Sequence, residues 1–488
     1  MIGVIALLIV CAAVVVAATA LFLASRPQPE SLESLAAKAG PYSLSTMLQA
    51  TFGSQVYLPS SETKYVPLNQ KPDIPGTADS FVARKNLIET PNVDVIYAPI
   101  VIDFNQRGFD QTKDRIVITL PTDLTSRYFI IQFQDVMGYD IPGRTAISSK
   151  TADNRKVWYV VSPLYNSVID KATLQMTSTV AYVLMRVHVA WAWTGSSSEC
   201  NLDEKDYVDA KNFYDQIKWD FSGLQKDLTR LNSYFPNLGS QGVNALNMKV
   251  RQPETLDIYA YFLAFAFYLA LQVKNVPKWW SNWRKLGVFS SQSGGPLFEP
   301  PYAKLAQEMY QSYKLTALAG NDVKNNAPFA SSKNNYWMSS RTFYLFPNDE
   351  FKNQLMMVDR GFMYIFCNPP NEAVYFQCNS DSDGKPLNSK NAYSLTFTTP
   401  QMVGNGFWSI TSYNLSTTYN EGQCYFTATG SKGSQDVTIN MSNSFAASQQ
   451  YSLKLPDGEV LFYVVVRVYG PKNDMLILPL NAIIKVIS

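Results

Sequence analysis

Histidine is nearly absent from this sequence, because His188 is the single example among 488 residues. One imidazole excludes zinc sites built from several histidines, including the H-E-x-x-H pattern of metalloproteases. Any Ser-His-Asp or Cys-His catalytic arrangement would have to use His188. No G-x-S-x-G motif accompanies it, and Arg186 lies two residues away on the same predicted strand. We therefore interpret His188 as a structural strand residue rather than a catalytic base.

Charged side chains are also scarce, since they make up 16% of the chain against roughly 25% in soluble domains. The 41 Lys and Arg nearly balance the 39 Asp and Glu, which leaves a formal net charge of +2. That balance offers no basic surplus for nucleic acid, so we expect no nucleic-acid partner. Tyrosine and uncharged polar residues fill the deficit, and aromatics reach 13%. This composition favours many short strands over helical bundles.

Cysteine supplies neither a metal site nor a dense disulfide framework. Cys11 lies in an apolar N-terminal run, and the remaining four are Cys200, Cys367, Cys378 and Cys424. No C-x-x-C motif occurs, so we expect no metal and no cofactor. The four thiols are interpreted as free or partly buried, with a Cys367–Cys378 bridge across a hairpin as the alternative.

The longest apolar run is at the N-terminus, where residues 2–24 contain no charged residue. At 1.5 Å per residue, about 23 helical residues cross a hydrocarbon core of roughly 30 Å. A cleaved signal peptide is the alternative, because Ala18 and Ala20 form an A-x-A site. The run is longer than the apolar region of a typical signal peptide, which has about 7–15 residues, and no basic residue precedes it. We expect an uncleaved single-pass anchor, with the lipid bilayer as its partner.

The orientation of that anchor stays open at the level of sequence. Arg26 follows the run and favours a cytoplasmic C-terminal side. Asn414 and Asn440 begin N-x-S motifs that would be glycosylation sites outside the cytoplasm. We expect the soluble part to be extracytoplasmic or on a virion membrane.

Hydrophobic periodicity changes twice along the chain, from period two to helical spacing and back. In residues 127–135, Phe129, Ile131 and Phe133 lie on one predicted face, with Gln132 and Gln134 on the other. The predicted strands are residues 93–100, 115–120, 127–135, 157–161, 180–189, 361–366, 373–377, 393–397, 407–413, 437–440 and 460–469. The predicted helices are residues 43–51, 203–231, 258–271 and 303–318.

These patterns predict a mainly β chain of the β+α class, with an N-terminal transmembrane helix. Two antiparallel β-sandwich or jelly-roll-like domains are expected on either side of a helical segment. The expected regions are a transmembrane anchor (1–25), a Pro/Ser-rich arm (26–80), an N-terminal β-sandwich (81–200), a helical segment (201–345) and a C-terminal β-sandwich (346–488).

Two ordered sets of motifs resemble a known family. Residues 90–97, 116–121, 127–135, 142–145 and 161–163 resemble the domain of unknown function numbered 1254 in order and spacing. Residues 381–387, 393–397, 407–413 and 467–471 are similar to its usual companion, the domain of unknown function numbered 1214. The resemblance implies two jelly-roll-like β-sandwiches joined by helices, as in exported bacterial proteins and some large DNA viruses. It implies no established activity, and Val93 and Val95 replace polar residues of the family's first motif.

Several polar and aromatic residues at strand ends are candidates for a ligand-binding site, because side chains at the ends of neighbouring strands can converge on a cavity. The ligand-binding candidates are Asn92, Tyr97, Arg127, Arg144, Arg186, Trp408 and Tyr413. Arginine offers a planar fork to carboxylate or phosphate. The alternative interpretation is that these residues form Asp–Arg pairs and turn caps, or, for the aromatics, strand core. Asp381 begins a segment that fails calcium-loop spacing and is predicted to be a hairpin turn.

These sequence features leave two candidate functions, one as a binding or structural protein and the other as an enzyme. The first is a membrane-anchored, non-catalytic binding or structural protein of a cell or virion surface, with a second copy or a surface partner expected and the small ligand unidentified. The second is a hydrolase acting on a carbohydrate or ester through Asp94 and Asp135. That chemistry requires the two carboxyl groups within roughly 5–10 Å of each other.

Overall fold

The structure of the protein is a computed structural model. It describes residues 31–37, 69–74, 76, 94–106, 108–136, 138, 146–190, 204–221, 223–224, 271, 273–274, 307–308, 311–312, 338–339, 368–369, 371–399, 401–414, 422–429, 436–443, 452–456, 458–472 and 482–487. The strands within these ranges are β1 (Val95–Asp103), β2 (Ile116–Thr119), β3 (Phe129–Gln134), β4 (Ala146–Ser148), β5 (Val157–Val161), β6 (Thr173–Gln175), β7 (Val180–His188), β8 (Lys218–Asp220), β9 (Met338–Ser339), β10 (Ala373–Cys378), β11 (Ala392–Thr398), β12 (Met402–Asn414), β13 (Gly422–Thr429), β14 (Asp436–Ser442), β15 (Ser452–Lys454), β16 (Phe462–Pro471) and β17 (Ala482–Ile487). The helix that packs against these strands, α1, spans Glu204–Gln216, and residues 32–37, 307–308 and 311–312 are also helical.

The N-terminal half contains two four-stranded sheets. Sheet 1 has the order β1-β7-β3-β4, and sheet 2 has the order β6-β5-β2-β8. β1 and β7 pair antiparallel along their whole length, from Val95 opposite His188 to Asp103 opposite Val180. The β5–β6 pair is parallel, and the other pairs of these sheets are antiparallel.

Sheets 1 and 2 share one hydrophobic core. Sheet 1 contributes alternate residues, such as Ile131 and Phe133 of β3 and Val183 of β7, and sheet 2 contributes Ile118 and Trp158. All five side chains are fully buried. The period-two pattern of the sequence therefore identifies this core face correctly.

Helix α1 covers the same core but is shorter than the sequence predicts. Phe213 and Tyr214 pack into the core, whereas the prediction extended the helix from residue 203 to 231. α1 ends at Gln216 because the next residues form β8, which pairs with β2. Lys71 donates to the carbonyls of Tyr214 and Ile217 at 2.6 and 2.9 Å and so satisfies acceptors at the helix end.

The C-terminal half contains two further sheets. Sheet 3 has the order β13-β12-β16-β10-β9, and sheet 4 has the order β15-β14-β11-β17. Trp408, Val466 and Val468 of sheet 3 and Leu395 and Ile439 of sheet 4 belong to a second hydrophobic cluster. The β14–β15 pair is parallel, and the other pairs are antiparallel.

The prediction of a mainly β chain is confirmed, and ten of the eleven predicted strands overlap observed ones. The short strands β4, β6, β8, β9 and β15 were missed because each has only two or three residues, too few for an alternating pattern. The longer strands β13 and β17 were also missed. The predicted strand 361–366, the anchor at residues 2–24 and the predicted helix 43–51 lie outside the described residues. So do nearly all residues of the predicted helices 258–271 and 303–318. Within the described ranges, no helix is long and apolar enough to cross a membrane.

Candidate functional site

Sheets 1 and 3 each have a second buried face. In β7 the residues between the core positions include Arg186 and His188, and in β16 they include Arg467 and Tyr469. Strand alternation turns these side chains away from the hydrophobic cores, yet all four are less than 7% exposed.

Direct contacts show where these second faces meet. Arg186 Nη1 donates to Asn368 Oδ1 at 2.7 Å, and Tyr128 Oη donates to the carbonyl of Glu372 at 3.0 Å. The second faces of sheets 1 and 3 therefore meet in a buried layer between the two halves of the chain, called here the interface layer. Its members are Asp94, Tyr97, Tyr128, Gln132, Arg186, His188, Asn368, Glu372, Tyr375, Phe407, Thr411, Tyr413, Arg467 and Tyr469.

Arg186 lies at the centre of the sheet 1 side. Its Nη1 also donates to Gln132 Oε1 at 2.8 Å, and the guanidinium carbon is 5.6 Å from the centroid of the Tyr97 ring. β1 and β7 place Tyr97 directly opposite Arg186, so the antiparallel register creates this cation–π contact. Asn368 Nδ2 donates in turn to Tyr375 Oη at 2.6 Å. A hydrogen-bonded chain thus runs from sheet 1 into sheet 3.

Arg467 occupies the matching place on the sheet 3 side. Its Nη1 donates to Thr411 Oγ1 at 3.0 Å and its Nη2 to Tyr413 Oη at 2.6 Å. β10 and β16 place Tyr375 directly opposite Arg467. Both arginines stay charged, because a guanidinium is not deprotonated in proteins.

Tyr97 and Asp94 belong to the sheet 1 side of the layer but also interact with the sheet 3 side. Both are close enough to Arg467 and Tyr469 for electrostatic interaction. Asp94 is fully buried, and Tyr97 is the half-buried residue of β1. The layer therefore brings two guanidinium groups, a carboxylate and tyrosine rings into one buried cluster.

An aromatic group lies beside this cluster. The rings of His188 and Phe407 are 4.0 Å apart between centroids, and Phe407 stacks on Tyr469 at 4.5 Å. Burial and the nearby Arg127 lower the pKa of His188 to about 3, so the imidazole is neutral at physiological pH. Its Nε2 has no hydrogen-bond partner among the described residues. The imidazole therefore acts as a packing ring, which agrees with the interpretation of His188 as a structural strand residue.

Glu372 and Lys150 lie at the edge of the interface layer. Lys150 Nζ donates to the carbonyls of Asn371 and Pro471 at 2.7 and 3.0 Å, which joins the loop after β4 to the C-terminal half. The side chain of Glu372 is fully buried, and neither carboxyl oxygen has a well-aligned hydrogen-bond donor among the described residues. Burial raises the pKa of Glu372 to about 7, although the nearby Ser148 and Lys150 oppose the rise.

The structure separates the two predicted catalytic carboxylates. Asp94 precedes β1 beside Val189, whose N–H donates to its carbonyl, while Asp135 follows β3 at the opposite end of β7. About eight residues of β7 lie between these ends, or roughly 26 Å at 3.3 Å per residue. Asp135 Oδ2 instead accepts a hydrogen bond from Thr177 Oγ1 at 2.9 Å. The proposed acid–base pair is therefore wrong for these two residues.

Arg127 forms an ion pair outside the interface layer. Its guanidinium donates to both carboxylate oxygens of Asp206 at 2.8 and 2.7 Å and to the carbonyl of His188 at 2.7 Å. Asp206 also accepts the N–H of Ala190 at 2.5 Å. Arg127 thus links α1 to the adjoining ends of β3 and β7, which agrees with the alternative interpretation of Arg127 as part of an Asp–Arg pair.

The remaining predicted residues are dispersed. Trp408 lies in the core between sheets 3 and 4, edge-on to Phe397 at 4.9 Å, and so on the opposite face of β12 from Tyr413. Asn414 ends β12, and Asn440 lies within β14 between two paired strands. Asn92 and Arg144 fall outside the described residues.

No metal or thiol site emerges within the part of the chain that the structure describes. No group of three His, Cys, Asp or Glu there could hold a metal ion. Cys378 is a free buried thiol, so the alternative bridge to Cys367 is not formed. Cys378 Sγ donates to the carbonyl of Ser380 at 3.1 Å, and burial raises its pKa to about 12. Asp381 is in the predicted turn, where its Oδ1 accepts the N–H of Asp383 and of Lys385.

Sequence reasoning missed most of the interface layer. Gln132, Asn368, Tyr375, Arg467 and Glu372 were not among the candidates. A signal existed in β16, where Arg467 interrupts an otherwise apolar strand between Val466 and Val468. A charged residue at such a position needs a buried polar partner or water.

Comparisons with known proteins agree with this two-part organisation. Residues 76–220 match the family model described as "Protein of unknown function (DUF1254)", and residues 372–473 match "Protein of unknown function (DUF1214)". No curated protein matches the chain.

Two solved structures are similar to this one. The VPA0106 protein from Vibrio parahaemolyticus aligns with a TM-score of 0.59 at 18% identity, over 94% of this chain and 100% of that one. An uncharacterized protein from Burkholderia cenocepacia aligns with a TM-score of 0.38 at 12% identity, over 91% of this chain and 87% of that one. The first likeness concerns the fold alone. Because the two family patterns occur in N- to C-terminal order and together cover about half of the residues, the chain belongs to the family that combines a DUF1254 domain with a DUF1214 domain.

Proposed function

We propose that the protein is a membrane-anchored, non-catalytic binding protein whose ligand lies between two β-sandwich, jelly-roll-like domains. The observation behind the binding role is the interface layer, where Arg186 and Arg467 lie buried among tyrosines from both halves. Burying two guanidinium groups is unfavourable unless they are paired and hydrogen-bonded. Replacing buried charged groups by well-packed apolar side chains is often neutral or stabilising, so simply joining two domains does not require two buried arginines.

The sandwich architecture is supported by the shared cores. Sheets 1 and 2 contribute to one hydrophobic cluster, and sheets 3 and 4 contribute to another. Two sheets that bury one face each against a common core are the defining feature of a β-sandwich. The interface layer then lies between the two sandwiches.

A non-catalytic role is supported by the state of the reactive groups. His188 is buried and neutral, which removes it as a general base that exchanges protons with solvent. Asp94 and Asp135 lie at opposite ends of sheet 1. The alternative hydrolase, which needs that pair, is therefore not proposed.

The anchor belongs to residues 2–24, which precede the described part of the chain. An uncharged run of this length spans a bilayer as a helix. We propose a single-pass protein whose soluble part is extracytoplasmic or on a virion membrane.

Membrane fractionation tests the anchor. The full chain is expected to stay in the membrane pellet after alkaline carbonate extraction, and a Val10→Lys, Val15→Lys variant is expected to enter the supernatant. Val168→Lys, a charge introduced at an exposed loop position, is the matched control and is expected to stay in the pellet. Extraction of the unchanged chain by carbonate would show that the anchor is absent. Protease protection of intact membranes then reports on which side the soluble part lies.

A further inference from the structure

Glu372 carries a buried carboxyl group at a point where the two halves of the chain touch. The side chain is fully buried, and neither carboxyl oxygen has a well-aligned hydrogen-bond donor among the described residues. Burying a polar group without such a donor is unfavourable, and burying a carboxylate in this way is much more so. An apolar side chain would fill the same space without that penalty. Packing alone therefore does not explain an acid at this position.

The backbone at Glu372 joins the two halves. Its carbonyl accepts the hydroxyl of Tyr128, which belongs to the N-terminal half, at 3.0 Å and the N–H of Gly470 in β16 at 2.8 Å. Lys150, in the loop after β4, donates to the carbonyls of Asn371 and of the last residue of β16. The carboxyl group is thus enclosed where that loop meets the start of β10 and the end of β16. This place is called here the Glu372 contact, and it consists of residues 148–151, 371–372 and 470–471.

The groups that act on the carboxyl come from the N-terminal half. Ser148 and Lys150 both favour the ionised form, and within the described ranges Lys150 is the one charged side chain that acts on it. Tyr128 is the other ionisable neighbour, and burial holds its pKa well above the usual value. The described residues just before Glu372 and at the end of β16 carry no ionisable side chain. Opening the Glu372 contact would therefore bring the carboxyl group into water.

The carboxyl group holds a proton more tightly in the closed contact than in water. Burial outweighs Ser148 and Lys150 and raises the pKa of Glu372 from 4.5 to about 7. Because the closed contact binds more protons than the open one, protonation favours closure. That stabilisation is fully present below pH 4.5 and is lost as the pH rises through 7.

We propose that Glu372 is a proton-dependent latch, which keeps the Glu372 contact closed while its carboxyl group is protonated and opens it to solvent when the group ionises. The opening is local, because the stacked rings of His188, Phe407 and Tyr469 form a separate contact between the halves. The inference concerns a conformational change, so it stands or fails independently of ligand binding in the layer.

Hydrogen–deuterium exchange of the detergent-solubilised full chain at pH 5.5 and pH 8 tests the latch, after correction for the intrinsic pH dependence of exchange. Segments 146–152, 369–373 and 468–472 report on the Glu372 contact. With carboxyl pKa values of 4.5 in the open contact and about 7 in the closed one, the ratio of open to closed contact is expected to rise about 30-fold between these pH values. The segment of β12 around Phe407 is expected to keep its protection.

Glu372→Gln identifies the group that is responsible. The amide has nearly the same size but does not ionise, so opening of the variant is expected to be equal at both pH values. Any pH effect of Lys150 or Tyr128 would persist in this variant, so the comparison isolates the carboxyl group. Glu459→Gln removes an exposed carboxyl group and is the matched control. It is expected to show the same pH dependence as the unchanged chain.

Three results would overturn the inference. The first is equal protection of the contact segments at pH 5.5 and 8 in the unchanged chain, a comparison that needs no variant. The second is a pH dependence that persists in Glu372→Gln. The third is loss of protection around Phe407 in parallel with the contact segments, which would mean that the two halves separate as a whole and that Glu372 is not a local latch.

Discussion

The imidazole of His188 packs against the phenyl ring of Phe407, with 4.0 Å between centroids and 32° between ring planes. His188 ends β7 of the N-terminal half, and Phe407 lies in β12 of the C-terminal half. The contact joins the two halves through a histidine that is neutral because its pKa is about 3. Its counterpart at the edge of the layer is Glu372, a carboxyl group whose pKa is raised to about 7.

His188→Phe is expected to remove an acid-sensitive contribution to stability. A base with a lowered folded-state pKa binds fewer protons when folded, so its contribution is present above pH 6.5 and decreases as pH falls toward 3. Between pH 7 and 5 that loss is about 2 kcal/mol. The free energy of unfolding of the variant, relative to the unchanged chain, should therefore rise by that amount on acidification. The protein has no other histidine whose titration could contribute to this difference. A difference in unfolding free energy that does not change with pH would contradict the lowered pKa of His188.

Glu372→Gln is expected to show the opposite pH dependence. An acid whose folded-state pKa is raised is stabilising below its unfolded pKa of 4.5, and that contribution is lost as pH rises through 7. At pH 8 the unchanged chain should have lost about 3 kcal/mol relative to pH 4.5, whereas the variant should not. Urea unfolding at pH 5, 6, 7 and 8 measures this. Parallel curves for the two proteins would mean that Glu372 titrates normally.

Asp206→Asn is expected to destabilise the protein by about 2 kcal/mol, because it leaves the largely buried guanidinium of Arg127 without its carboxylate. Glu459→Gln, in the exposed pair with Lys390, is the matched control. The urea midpoint of that control should stay close to that of the unchanged chain, because exposed ion pairs contribute little. Equal shifts for both variants would argue against a structural role for Arg127.

Gly406→Ala is expected to cost about 2 kcal/mol, since buried overpacking typically has this size. A Cβ atom at Gly406 would lie 2.6 Å from the carbonyl oxygen of Tyr469 and 2.8 Å from Cβ of Met402. The irregularity in the register of β12 between Met402 and Phe407 brings this glycine close to β16. Gly76→Ala is the control, because a methyl group at Gly76 would meet no atom within 4 Å. Thermal unfolding distinguishes the two, and an unchanged transition for Gly406→Ala would show that β12 adjusts freely.

Sequence patterns predicted β3 and β7 correctly, and for β3 also which side chains enter the hydrophobic core. They failed for the end of α1, because the spacing of Phe213, Ile217 and Phe221 is helical while the backbone after Gln216 pairs with β2. The spacing of apolar residues shows which side chains can be buried, and a short strand that follows a helix can have the same spacing as a longer helix. Pairing of that segment with β2 decides between a longer helix and a strand.

Local patterns in the sequence are enough to predict the class of the fold, the family and the core face of β3, because ordered motifs and the alternation of apolar side chains are local properties. The burial of the other face of sheets 1 and 3 follows only from how the chain folds. A polar side chain such as Arg186 suits either solvent or a hydrogen-bonded layer, and the choice depends on Asn368, which is 182 residues away along the chain. Contacts of that separation leave no periodic signal, so Arg186 and Arg467 could be recognised as one cluster only in the folded protein.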